Sequence, residues 1–113
     1  MLKIITLVFI AAAFLGSKLF KSIMADKTTE KKVAAAHGIL VGIGLISLFV
    51  YISFTEDWVP VIPIIIFMFA ALFGCILFVR DIQETPGPKW LAILHPILAT
   101  TGLLILIFLA FFY

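Results

Sequence analysis

Four long apolar runs separated by short polar stretches make up almost the whole chain, at about residues 2–17, 33–54, 59–79 and 90–113. Each is close to the ~20 residues that an α-helix needs to cross ~30 Å of hydrocarbon. None alternates polar and apolar positions as a barrel strand does. A helix also satisfies its backbone N–H and C=O groups within its own segment, as lipid requires. The pattern predicts an all-α membrane protein, a single domain over residues 1–113 built as a four-transmembrane-helix bundle. Composition agrees, with 65% hydrophobic and 12% charged residues. A soluble domain of this size could not hide so much apolar surface.

The first run also has the outline of a secretion signal: Lys3, an apolar stretch, then Ala11, Ala12 and Ala13. Its part in an internal repeat makes it the first helix instead. Shifted by 58 residues, the two halves align without a gap, and residues 2–55 give 16 identities in 54 pairs. Composition alone gives roughly a tenth. Ala12 and Ala13 match Ala70 and Ala71, Gly16 matches Gly74, and Leu19 and Phe20 match Leu77 and Phe78. Lys31 matches Lys89, Ala34 matches Ala92, His37 matches His95 and Gly44 matches Gly102. The bundle should therefore consist of two repeated helical hairpins, about residues 1–55 and 59–113. Their common orientation implies a two-fold axis along the membrane normal.

Charge sets the expected topology. An even number of helices puts both ends on one side and the loops near residues 24–32 and 81–89 on the other. The loop side collects Lys18, Lys21, Lys27, Lys31, Lys32, Arg80 and Lys89, seven of the eight basic residues. Lys3, Glu56 and Asp57 lie opposite. The positive-inside rule places both termini outside and the longer loops in the cytoplasm. An integral position in a bacterial inner membrane, with the lipid bilayer as first partner, is the expected location. The dispersed basic residues make no nucleic-acid patch. Trp58, Trp90 and Tyr113 end their runs as interfacial aromatics do. The single cysteine, Cys75, allows neither an internal disulfide nor a CxxCH haem attachment, and reads as a packing residue.

Local signals refine the elements. Thr28, Thr29 and Glu30 offer capping chemistry before the second helix. Pro60 suits the first turn of the third helix, and Pro86-Gly87-Pro88 a stiff turn before the fourth. Pro96 removes a backbone bond to the Ala92 carbonyl. Thr100 and Thr101 are placed to bond carbonyls one turn back. Gly38 and Gly42 form a GxxxG spacing suited to close helix packing.

The candidate chemistry rests on His37 and His95, since ionisable groups inside a membrane are costly and mark function. The repeat brings them to one depth, ~8–9 Å along the helix from Lys32 and Lys89. Val41 and Gly44 share the face of His37, and Ala99 and Gly102 that of His95. Such small residues leave room for a flat macrocycle. Imidazole is a standard axial ligand of haem iron. One haem b held by His37 and His95 between the second and fourth helices is the leading expectation. Two axial imidazoles favour single-electron transfer over substrate chemistry, so an enzyme with its own substrate is not the primary reading. Haem propionates would reach the basic rim, where Lys18, Lys21, Lys31, Lys32, Arg80 and Lys89 are available. Zinc fits less well, because it takes about four ligands. Proton-coupled transport lacks a carboxylate deep in the bundle. Two alternatives stay open: a haem carrier, sensor or assembly protein without redox turnover, and a haem-free membrane subunit or transporter.

The segments AHGILVGIGL around His37 and LHPILATTGLLIL around His95 resemble the histidine-bearing helices of the cytochrome b561 family. The resemblance covers two helical segments and implies His37 and His95 as axial haem ligands. Family members have more helices and two histidine pairs, one haem near each membrane face. With one pair, electron passage across the bilayer would need a quinone, a redox partner protein or a homodimer.

Overall fold

The computed structural model describes residues 1–85 and 88–113, so part of the expected stiff turn, Pro86 and Gly87, lies outside the described residues. The chain forms four helices: α1 (Leu2–Met24), α2 (Lys31–Thr55), α3 (Val61–Ile82) and α4 (Lys89–Phe111). All four are long and apolar enough to cross a membrane. They form an elongated bundle, 43 × 22 × 19 Å.

The helices sit in cyclic order. α1 packs on α2, α3 on α4, α4 closes on α1, and α2 meets α3 more loosely. No Cα of α2 comes within 8 Å of one in α4, nor any of α1 within 8 Å of one in α3. These two pairs are therefore diagonals of the bundle. The termini and the α2–α3 turn share one end, and the two longer loops the other.

The best-buried core occupies the terminal end. It comprises Ile5 and Phe9, Leu48 and Ile52, Ile64 and Phe67, and Leu106. Phe9 and Phe67 stack across the α1–α3 diagonal, ring centroids 4.3 Å apart and planes within 7°. Outside, Phe14, Ile46, Ile62 and Leu104 are exposed, as lipid-facing side chains are. Lys3 lies over the Phe111 ring, 5.5 Å from its centroid, joining the two ends of the chain.

Helix ends depart from the sequence expectations in two places. Thr29 does not cap α2: its hydroxyl donates to Asp81 Oδ2, and Glu30 takes the N-cap position without a side-chain bond. Pro60 stands one residue before α3 as its N-cap, and Pro63 occupies the first turn, where a missing N–H costs nothing. α4 runs through Pro96 without interruption. Thr101 donates back to the Ile97 carbonyl at 2.8 Å.

Candidate functional site

The two histidines meet across the α2–α4 diagonal. Their ring centroids are 6.3 Å apart and their planes nearly perpendicular, at 85°. His37 Nδ1 donates to the Ala12 carbonyl and His95 Nδ1 to the Ala70 carbonyl, both at 2.7 Å. A carbonyl only accepts, so each Nδ1 carries a proton, and Nε2 is the ring nitrogen left to bind something else. No hydrogen bond of the described residues uses either Nε2. No polar side-chain atom among them is both buried and unpaired, so each Nε2 borders accessible space.

A backbone seat makes this possible. Helical carbonyls are normally shielded by their own turn, and an imidazole reaches one only where the side chain above it is absent. Gly16 supplies that gap beside His37, and Gly74 beside His95. A Cβ at Gly16 would stand 2.9 Å from His37 Cε1, and one at Gly74 2.8 Å from His95 Cε1. The seat is thus Ala12-x-x-x-Gly16 on α1 and Ala70-x-x-x-Gly74 on α3, one turn each. Each hairpin holds its own histidine, 25 residues from the carbonyl it bonds.

The small residues named beside the histidines have other neighbours. A Cβ at Gly44 would meet the Phe9 ring at 2.7 Å, and one at Gly102 the Phe67 ring at 2.9 Å. The room that sequence reading reserved for a macrocycle at Gly44 and Gly102 is therefore taken by the central phenylalanine stack. That stack forms the floor of the histidine layer on the terminal side. Val41 packs against the same core, and Ala99 is half-buried.

The basic residues divide in the same way. Lys31 bonds Asp81 Oδ2 at 2.6 Å and its carbonyl at 3.2 Å. Lys89 pairs with Asp26 at 3.2 Å. These repeat-related lysines each reach an acid of the other hairpin and tie the loop end together. Lys32 is exposed, with no acid partner among the described residues. Arg80 lies on the outward face of α3 with Leu72, Ile76 and Val79, away from the histidines.

No protein-family model, no curated protein and no solved structure matches this chain.

What the site can do therefore follows from its own geometry. Among the described residues, no three of His, Cys, Asp and Glu gather as a metal cluster. The pair offers two Nε2 atoms, and no third ligating side chain joins them among the described residues. Two imidazoles sharing one metal at ~2 Å from each nitrogen have ring centres roughly 6 Å apart. The observed 6.3 Å is close to that spacing, and with planes at 85° it is also the geometry of an edge-to-face ring contact. An iron whose remaining ligands come from a porphyrin suits this donor set; a bare ion that needs four protein ligands does not.

Proposed function

We propose that this chain is a small integral-membrane b-type cytochrome, with one haem held by His37 and His95. The observation that carries the reading is the pair of repeat-related imidazoles 6.3 Å apart, each fixed through Nδ1 and unpartnered at Nε2. A second hydrogen bond of this kind is what orients ligating histidines and raises their basicity. His37 and His95 would hold the haem through Nε2, and the group would supply one-electron exchange there.

The chain's own residues have defined roles in this reading. The Ala12 and Ala70 carbonyls hold each ring in one tautomer and orientation. Gly16 and Gly74 let the rings lie against α1 and α3. Phe9 and Phe67 keep water from the terminal side. Lys32 is a basic residue on the His37 helix without an acid partner among the described residues, available to a propionate; Lys31 and Lys89 would first have to release Asp81 and Asp26.

The resemblance to the cytochrome b561 family around both histidines supports the same reading. The concentration of basic residues on the loop side supports a cytoplasmic location for the loops, in a bacterial inner membrane. The electron donor or acceptor in this reading is a quinone or a redox protein.

The test is optical. Protein purified in mild detergent after growth with added haem should show a sharp Soret band and split visible bands on reduction. A pyridine haemochrome assay should give about one haem per chain, since two histidines make one axial pair. His37→Ala and His95→Ala should each abolish the low-spin spectrum. A colourless protein, or two variants with unchanged spectra, would overturn the assignment. Reduction by a quinol distinguishes electron transfer from haem carriage.

A further inference from the structure

The outward face of α3 holds a groove that the histidine site does not use. Its walls are Leu72, Cys75, Ile76 and Val79, and its loop-side end is formed by Arg80, Gln83 and Thr85. No other helix contributes to it. The residues from Leu72 to Arg80 recur every three or four positions, so they form one continuous stripe. At 1.5 Å per residue the stripe runs ~12 Å from Leu72 to Arg80, along the helix and hence along the membrane normal. That is most of one leaflet's half of a ~30 Å hydrocarbon layer.

Charge distinguishes the upper end. Among the described residues Arg80 has no acid within ion-pair distance, because its neighbour Asp81 is turned to Lys31 and Thr29. Thr85 folds back over the helix end, its N–H and hydroxyl both on the Arg80 carbonyl, at 3.0 and 3.3 Å. An uncompensated guanidinium thus stands at the level where helix and loop meet, beside a shallow apolar groove. The repeat does not reproduce this arrangement. On α1 the matching positions of Ile76, Val79 and Arg80 are Lys18, Lys21 and Ser22, so the wall is broken by charge and the arginine is absent.

We propose that this groove binds a phospholipid with an anionic headgroup. The phosphate pairs with the Arg80 guanidinium, which suits bidentate phosphate contacts. One acyl chain lies along Leu72, Ile76 and Val79. The proposal is independent of the haem reading, since none of these residues forms the histidines' seat or bonds to them.

Native mass spectrometry of the detergent-purified full chain tests it, with dioleoyl phosphatidylglycerol and dioleoyl phosphatidylcholine as probes. The first bound phosphatidylglycerol should be held at least about fivefold more tightly than phosphatidylcholine, the effect of one basic residue at an anionic headgroup. Arg80→Gln should remove that preference, while the double variant Lys18→Gln/Lys21→Gln keeps it. Ile76→Trp, which puts a bulky ring into the groove, should weaken the first binding event for both lipids. Equal preference in wild type and Arg80→Gln, or equal loss in the Lys18/Lys21 variant, would show only general attraction to a basic rim and would overturn the site.

Discussion

At the scale of single residues, the glycines within the helices are not equivalent, and the difference is measurable. The imidazoles of His37 and His95 are tethered at 2.7 Å and cannot retreat from a new methyl without losing that bond. Gly16→Ala and Gly74→Ala place a Cβ 2.9 and 2.8 Å from them. Each should cost about 1–3 kcal/mol, the usual penalty for overpacking, read as a fall in Tm in detergent. Gly38→Ala and Gly42→Ala meet no atom within 4 Å and should gain up to ~1 kcal/mol from helix propensity. Four equal effects would mean that propensity, not the histidine seat, governs Gly16 and Gly74. The histidines themselves were legible because two rare residues recur at a fixed shift in an otherwise apolar chain. Their seat was not. Ala12, Gly16, Ala70 and Gly74 stood among the repeat identities, but so did Gly44 and Gly102, and nothing in composition tells which small residue faces an imidazole and which a phenylalanine. That depends on the register of α1 against α2, which uniformly apolar helices leave unmarked. Phe9 and Phe67 carried the same signal, identity under the shift, and were hidden by the abundance of phenylalanine, 12 residues in all.

At the scale of helices, the four runs located every element, but hydropathy marks lipid contact rather than helix length. α1 continues from the end of its apolar run to Met24, because Lys18 and Lys21 are good helix formers whose long stems lie along apolar surface. α3 likewise passes Arg80 to reach Ile82. What stops both is the backbone. Asp26 and Glu84, related by the 58-residue shift, have φ of 54° and 58°. Behind them Lys27 N–H bonds Ser22 O at 2.9 Å, and Thr85 N–H bonds Arg80 O at 3.0 Å. Both helices therefore end in the same closing turn, with a left-handed residue where glycine is preferred. Glu84→Gly should raise stability by about 1 kcal/mol, the cost of that conformation for a residue with a Cβ. Asp26→Gly should gain less, because it also gives up the exposed ion pair to Lys89, worth at most ~1 kcal/mol. Thermal unfolding of the two variants in one detergent gives the comparison. A lower Tm for Glu84→Gly would mean that its side chain contributes more than its backbone costs.

At the scale of the whole molecule, two diagonals organise the bundle: phenylalanines join α1 to α3, and histidines face each other from α2 and α4. The first diagonal closes the terminal half, so Phe9→Ala and Phe67→Ala should each cost about 3–5 kcal/mol. A double-mutant cycle should show them coupled by roughly 0.5–1.5 kcal/mol, as stacked rings are. Independent effects would mean that each ring is held by its own glycine, Gly44 or Gly102, rather than by the other. The second diagonal lies nearer the loop end, so the sidedness of the chain decides which compartment is close to the histidines. The hairpins share one orientation, and seven of eight basic residues gather at their loops. Moving that many cations across the bilayer during insertion is unfavourable, whereas Lys3 alone presents a small barrier at the other end. Thiol labelling reads the result directly. With Cys75 replaced by serine, Lys27→Cys and Glu84→Cys should resist a membrane-impermeant maleimide in intact cells and react after lysis. Glu56→Cys, in the short turn between α2 and α3, should react in both. The reverse pattern would turn the histidine layer toward the outside. Labelling of all three in intact cells would mean that the chain inserts in both orientations, which the charge distribution argues against.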